Sequence, residues 1–143
     1  MANAPYIMLV DDDEHSAHLM IRMLTAHGAP AIEWQGSTAQ ALSRLRTVLA
    51  SAHDLPGLVI VDIKAHSGAN LEFVASIATA LRMAGVPMAT MMPTFDGPTQ
   101  AALRLAGVGG IFYRQADRDD YRREAASIVS FWARQQRLDA VGM

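Results

Sequence analysis

Tyr6-Ile-Met-Leu-Val-Asp-Asp-Asp13 sets an unbroken apolar run directly against three carboxylates. A run that is apolar at every position, and not at alternate ones, reads as a strand buried on both faces, which in a soluble chain implies a parallel sheet covered by helices. Leu58-Val-Ile-Val-Asp62 repeats the pattern and again ends on a carboxylate. Segments around Ala31–Trp34, Val86–Met91 and Gly110–Tyr113 are short, flanked by Gly or Pro, and supply three weaker strand candidates.

Helix-length stretches separate these runs. Glu14–His27 puts Ala17, Met20, Ile21 and Leu24 on one face and stops at Gly28. Ser37 is placed to cap a second helix carrying Ala41, Leu42, Leu45, Val48 and Leu49 at helical spacing. Leu71–Ala84, Thr99–Ala106 and Asp119–Leu138 complete five strand-then-helix units. The expected fold is α/β, a five-stranded, doubly wound parallel sheet with helices on both faces. With 143 residues, the chain has room for one domain of ordinary size, taken here as residues 1–143. Ligands of such sheets sit beyond the carboxyl ends of the strands, near the point where strand order reverses. Asp11, Asp12 and Asp62 are therefore expected to meet at one rim.

Composition excludes several functions. A formal net charge of -2 with scattered arginines lacks the basic footprint of a nucleic-acid binder. The absence of cysteine removes disulfides, thiolate nucleophiles and sulfur-ligated metals. The first residues do not follow a signal-peptide layout, and no apolar stretch approaches the roughly 20 residues of a membrane span. A cytoplasmic location is expected.

Crowded carboxylates repel one another unless a cation, a positive side chain or a raised pKa relieves them. Mg²⁺ suits such a rim, since it takes one or two carboxylates with waters and completes its shell with a phosphate. One carboxylate is then left to act as a nucleophile toward phosphorus, giving an aspartyl-phosphate. Taken one at a time, Asp11–Glu14 read as helix-capping residues and Asp62 as a turn residue. Their joint placement at neighbouring strand ends argues for a site.

Ile7-Met-Leu-Val-Asp-Asp-Asp13 resembles the opening strand and acidic pair of receiver domains, the flavodoxin-like (βα)5 response-regulator modules of bacterial two-component signalling. The similarity spans nearly the whole chain: Asp62, the Ile63–Leu71 loop, the Pro87 strand, the Ala106-Gly107 helix end and the Gly110 strand follow at that family's spacing. The resemblance implies a stand-alone receiver in which a histidine kinase or phosphotransfer protein phosphorylates Asp62. It further implies Mg²⁺ held by Asp11, Asp12, Asp62 and the Lys64 backbone carbonyl, with no enzymatic turnover beyond self-phosphorylation and slow self-dephosphorylation.

Receivers also carry a hydroxyl ending the fourth strand and a lysine ending the fifth. Here Met92 and Arg114 stand at those positions, with Thr94 and Thr90 the nearest hydroxyls. Gln115 replaces a usual proline, His66 a loop proline and Asn70 a loop glycine, and Ile111 takes the place of an aromatic switch residue. Arginine can still pair with a phosphoryl group, but methionine donates no hydrogen bond. These departures keep a second reading open, a phosphorylation-independent interaction module on the same fold.

Other motifs carry less. His15 and His18 share a helical face but lack a third metal ligand, and the glycines of Gly107–Gly110 lack the lysine of a phosphate loop. A haloacid-dehalogenase-like phosphatase wants an acid where Lys64 stands, and a flavodoxin-like cofactor loop would not be built from Asp11–Glu14. Ile128-Val-Ser-Phe-Trp132 resembles the small regulators paired with bacterial phytochromes. On a helical wheel Tyr121, Ala125, Ile128 and Trp132 share one face while Phe131 and Leu138 lie on a flank, which leaves two readings open: a wet patch that forms a two-fold homodimer, or a wider core stripe with Phe131 tucked beside a neighbouring helix.

Overall fold

A computed structural model of the chain describes residues 4–63 and 68–141. Five strands and five helices alternate along it: β1 Tyr6–Val10, α1 Glu14–Ala26, β2 Ala31–Gln35, α2 Thr38–Ser51, β3 Leu58–Asp62, α3 Gly68–Met83, β4 Met88–Met92, α4 Gly97–Ala106, β5 Gly110–Tyr113 and α5 Arg118–Val141. All four strand pairings are parallel, in the order β2-β1-β3-β4-β5. This is the doubly wound flavodoxin-like arrangement.

Local chemistry explains where the elements start and stop. The Asp13 side chain accepts from the His15 and Ser16 amides and caps α1, Ser37 accepts from Gln40 to cap α2, and Asp96 accepts from Thr99 to cap α4. Gly28 and Gly107, with φ of 90° and 106°, supply the left-handed turns that end α1 and α4.

Alternation along the strands splits the core into two layers. Met8, Val10, Val59, Val61, Met88 and Met92 pack with Leu45, Val48, Val74, Ile77, Leu81 and Leu103 of α2, α3 and α4. Ile7, Leu9, Leu58, Ile60, Ala89 and Met91 pack with Leu24 of α1 and Ala125 and Ile128 of α5. A fully buried Leu or Ile contributes about 1.5–3 kcal/mol relative to exposure, so the unbroken apolar strands use both faces.

The last helix decides between the two readings of its flank, against the wet patch at Phe131. Phe131 is only 7% exposed and belongs to the second core layer, its ring edge-on to Phe112 at 5.9 Å. A Cβ on Gly109 or Gly110 would come within 3.3 Å of Phe131 Cζ, so these two glycines make the room into which the ring fits. Phe131 is therefore not part of a wet flank, because the strand it crosses has no side chains there to hold it off. The Leu138 side chain lies outside the described residues.

Candidate functional site

Strand β1 has β2 on one side and β3 on the other, so the topological switch point lies between β1 and β3. The register pairs Val10 with Val61, which sets Asp11 beside Asp62 one position further on. Both carboxylates are buried, at 2% and 3% exposure, whereas Asp12 is exposed. The three consecutive aspartates thus have three situations: Asp11 lies in the rim, Asp12 faces solvent, and Asp13 caps α1.

Asp11 is pinned from several sides. Its amide donates to Gln35 O at 3.1 Å, its carbonyl accepts from the Trp34 indole at 2.8 Å, and its Oδ1 accepts from the Asp13 amide at 2.9 Å. The indole comes from β2, and the His18 ring of α1 rests edge-on against it at 5.5 Å. Trp34 was visible in the sequence only as part of a weak strand.

Contacts to Asp62 come from several parts of the chain. The Arg114 guanidinium, just beyond β5, makes an ion pair with Asp62 Oδ2. Ser16 Oγ of α1 donates to the same oxygen at 3.4 Å, and the buried Asn70 side chain of α3 donates to the Asp62 carbonyl. Arg114 is set in place by its own amide, which donates to the Met92 carbonyl at 2.7 Å. Glu124 of α5 steadies the same strand end by accepting from the Tyr113 amide at 3.2 Å and from Gln115 Nε2 at 3.4 Å.

The remaining switch candidates sit elsewhere. The Met92 side chain is buried in the core layer beneath α2, α3 and α4, and Thr90, on the same face of β4, is fully buried there too. Thr94 is exposed in the connection after β4. Ile111 is half-buried against the same layer. Lys64 and His66 lie outside the described residues. His15 is exposed on α1, and among the described residues no three His, Asp or Glu side chains form a ready metal cage.

Tyr121 joins the site through its electrostatics. It is buried on α5 with its hydroxyl 3.9 Å from Met20 Sδ. Burial pushes its pKa up to about 12; the nearby Arg114 charge opposes the rise, while Asp62 and Asp11 add to it. The folded state therefore holds this proton more tightly than the unfolded chain, whose tyrosine titrates near 10. The resulting stabilisation is complete below pH 10 and disappears as pH rises through about 12. Melting temperature is expected to fall over that window, and Tyr121→Phe to flatten the fall. Tyr6, raised chiefly by burial, accounts for part of what remains. An unchanged slope in Tyr121→Phe would remove Tyr121 as its source.

No family model and no curated protein matches the sequence. Solved structures do match, and the fold they share with this chain is that of response-regulator receiver domains. The phosphorylated cyanobacterial phytochrome response regulator RcpA is similar at a TM-score of 0.75 and 17% identity, over 92% of this chain and 95% of that one. The Mn²⁺-bound form of response regulator Rcp1 gives 0.71 and 18%, over 90% and 94%. A chemotaxis-regulator-like receiver protein from Methanospirillum hungatei gives 0.69 and 15%, over 94% and 98%. At such identities the likeness is one of fold. No described helix is long and apolar enough to cross a membrane.

Proposed function

We propose that this protein is a response-regulator receiver that accepts a phosphoryl group on Asp62 from a histidine kinase or phosphotransfer protein and signals through contacts with other proteins. The observation that carries the reading is the pairing, at the switch point of the sheet, of two buried carboxylates with one arginine on Asp62. In the transfer, an Asp62 carboxylate oxygen attacks phosphorus, a new P–O bond forms, the donor's P–N bond breaks and the imidazole leaves with a proton. Arg114 offers planar, fixed donors to the charge that arrives.

The donor set fits Mg²⁺, which needs only one or two carboxylates and keeps several waters. Asp11 and Asp62 would hold the ion, with Asp12 at the exposed edge to bind its waters; the Lys64 carbonyl lies outside the described residues. When bound, the cation neutralises carboxylate and phosphoryl charge. The chain's own groups do the rest: Trp34 and the Asp13 amide orient Asp11, Asn70 fixes the Asp62 backbone, and Arg114 faces the acceptor oxygen. Mn²⁺ in Rcp1 and the phosphorylated state of RcpA, at a shared fold, support the proposal. The protein is proposed to act as a phosphoacceptor, with no substrate turnover of its own beyond loss of that group, and in the cytoplasm.

Phosphoramidate with Mg²⁺ tests this directly. Intact-mass measurement is expected to show one added phosphoryl group when Mg²⁺ is present, and none when a chelator is present from the start of the reaction. An unchanged mass with Mg²⁺ present, together with unchanged amide spectra in beryllofluoride, would shift the assignment to a phosphorylation-independent interaction module.

A further inference from the structure

We infer that Ser16 supplies the hydroxyl that engages the phosphoryl group in this chain, so that the state of Asp62 is read by α1; this rests on Asp62 being the phosphoacceptor. Among the hydroxyl-bearing candidates on and after β4, Thr90 is sealed within the core layer and Thr94 is exposed past Pro93. Met92 ends β4 without a donor. Ser16 Oγ, by contrast, already lies 3.4 Å from Asp62 Oδ2, the oxygen that Arg114 also holds.

Its position is set by the capping of α1. Asp13 Oδ1 accepts from the Ser16 amide at 3.2 Å and from the His15 amide at 3.0 Å, and Ala17 beside it is fully buried, so the first turn is anchored at two points. At 3.4 Å the bond to the bare carboxylate is long for an O–H donor, whose usual range ends near about 3.0 Å. A phosphoryl group brings three strong acceptor oxygens into the space that Ser16 and Arg114 border. The hydroxyl gains a better acceptor, and the first turn of α1 is drawn toward it. His18, two residues on in the same helix, rests on Trp34, whose indole is bonded to the Asp11 carbonyl, so Trp34 emission reports the shift.

The test uses the full chain carrying Trp132→Phe, which leaves Trp34 as the sole indole; Trp132 Nε1 has no hydrogen-bond partner among the described residues. Beryllofluoride with Mg²⁺ is titrated into this protein and into its Ser16→Ala and Ser16→Thr forms, following Trp34 emission and amide spectra. Ser16→Ala is expected to weaken beryllofluoride binding by about tenfold or more, the scale of one hydrogen bond to a charged group, and to remove the emission change. Ser16→Thr is expected to restore both, a rescue that a mere helix-stability effect would not give. Binding and emission unaffected by Ser16→Ala overturn the inference and leave the phosphoacceptor reading intact. No binding by the parent, with no mass gain from phosphoramidate, overturns both.

Discussion

Asp62→Asn is expected to take up no phosphoryl group from phosphoramidate or from any competent histidine kinase, while keeping the fold. The amide is nearly the same size as the carboxylate it replaces, so the buried site is not emptied, but its oxygen is a far poorer nucleophile and carries no charge. Arg114 loses an ion pair yet is itself about one-third exposed, so water can solvate it and little stability should be lost. The neighbouring substitutions should grade by burial. Asp11→Asn removes a buried carboxylate from the proposed cation site and should lower labelling strongly, with excess Mg²⁺ giving partial recovery; Asp12→Asn acts at an exposed edge and should recover more fully. Intact-mass measurement across a Mg²⁺ series checks the order. Full labelling of Asp62→Asn would move the phosphoacceptor elsewhere.

Phe131→Ala is expected to cost about 3–5 kcal/mol of folding stability, the range for truncating a buried phenylalanine. The ring fills a space floored by Gly109 and Gly110 and walled by Phe112, and with no side chain on the glycines nothing can move in to close the void. For a chain of this size each kcal/mol shifts the melting temperature by roughly 2–4 °C, so a fall of about 10 °C is anticipated. Gly110→Ala tests the same fit from the other side. Its Cβ would come 2.9 Å from Phe112 Cε2 and 3.3 Å from Phe131 Cζ, so both rings must give way. Loss of self-association in Phe131→Ala with an unchanged melting curve would contradict the core placement.

The elements and their order were legible because helix and strand signals are periodic and local. The strand Tyr6–Val10 and the strand Gly110–Tyr113 run as their apolar runs suggest, and Ser37 and Gly107 cap as their residue types demand. Boundaries moved where a local rule met tertiary packing: β4 starts at Met88 instead of Val86, and α5 runs on to Val141. Along α5, Gln136 Nε2 donates to Gly57 O at 2.9 Å, a tie to the start of β3 across 79 positions that periodicity cannot register.

From the sequence alone came an acidic rim on a doubly wound parallel sheet, with Asp62 at the end of a strand buried on both faces, because those features depend on neighbours within one turn or one strand. Only the tertiary structure decided which of Asp11, Asp12 and Asp13 enters the rim, that Arg114 reaches Asp62 from 52 positions away, and that Ser16 and Asn70 hold it from two helices. It also decided that Phe131 belongs to the core. The physical reason is common to all of these: a side chain's partner is set by sheet register and by the rotation of each helix about its own axis. Both are outcomes of packing the whole core, and neither is written in the local pattern of the residues concerned.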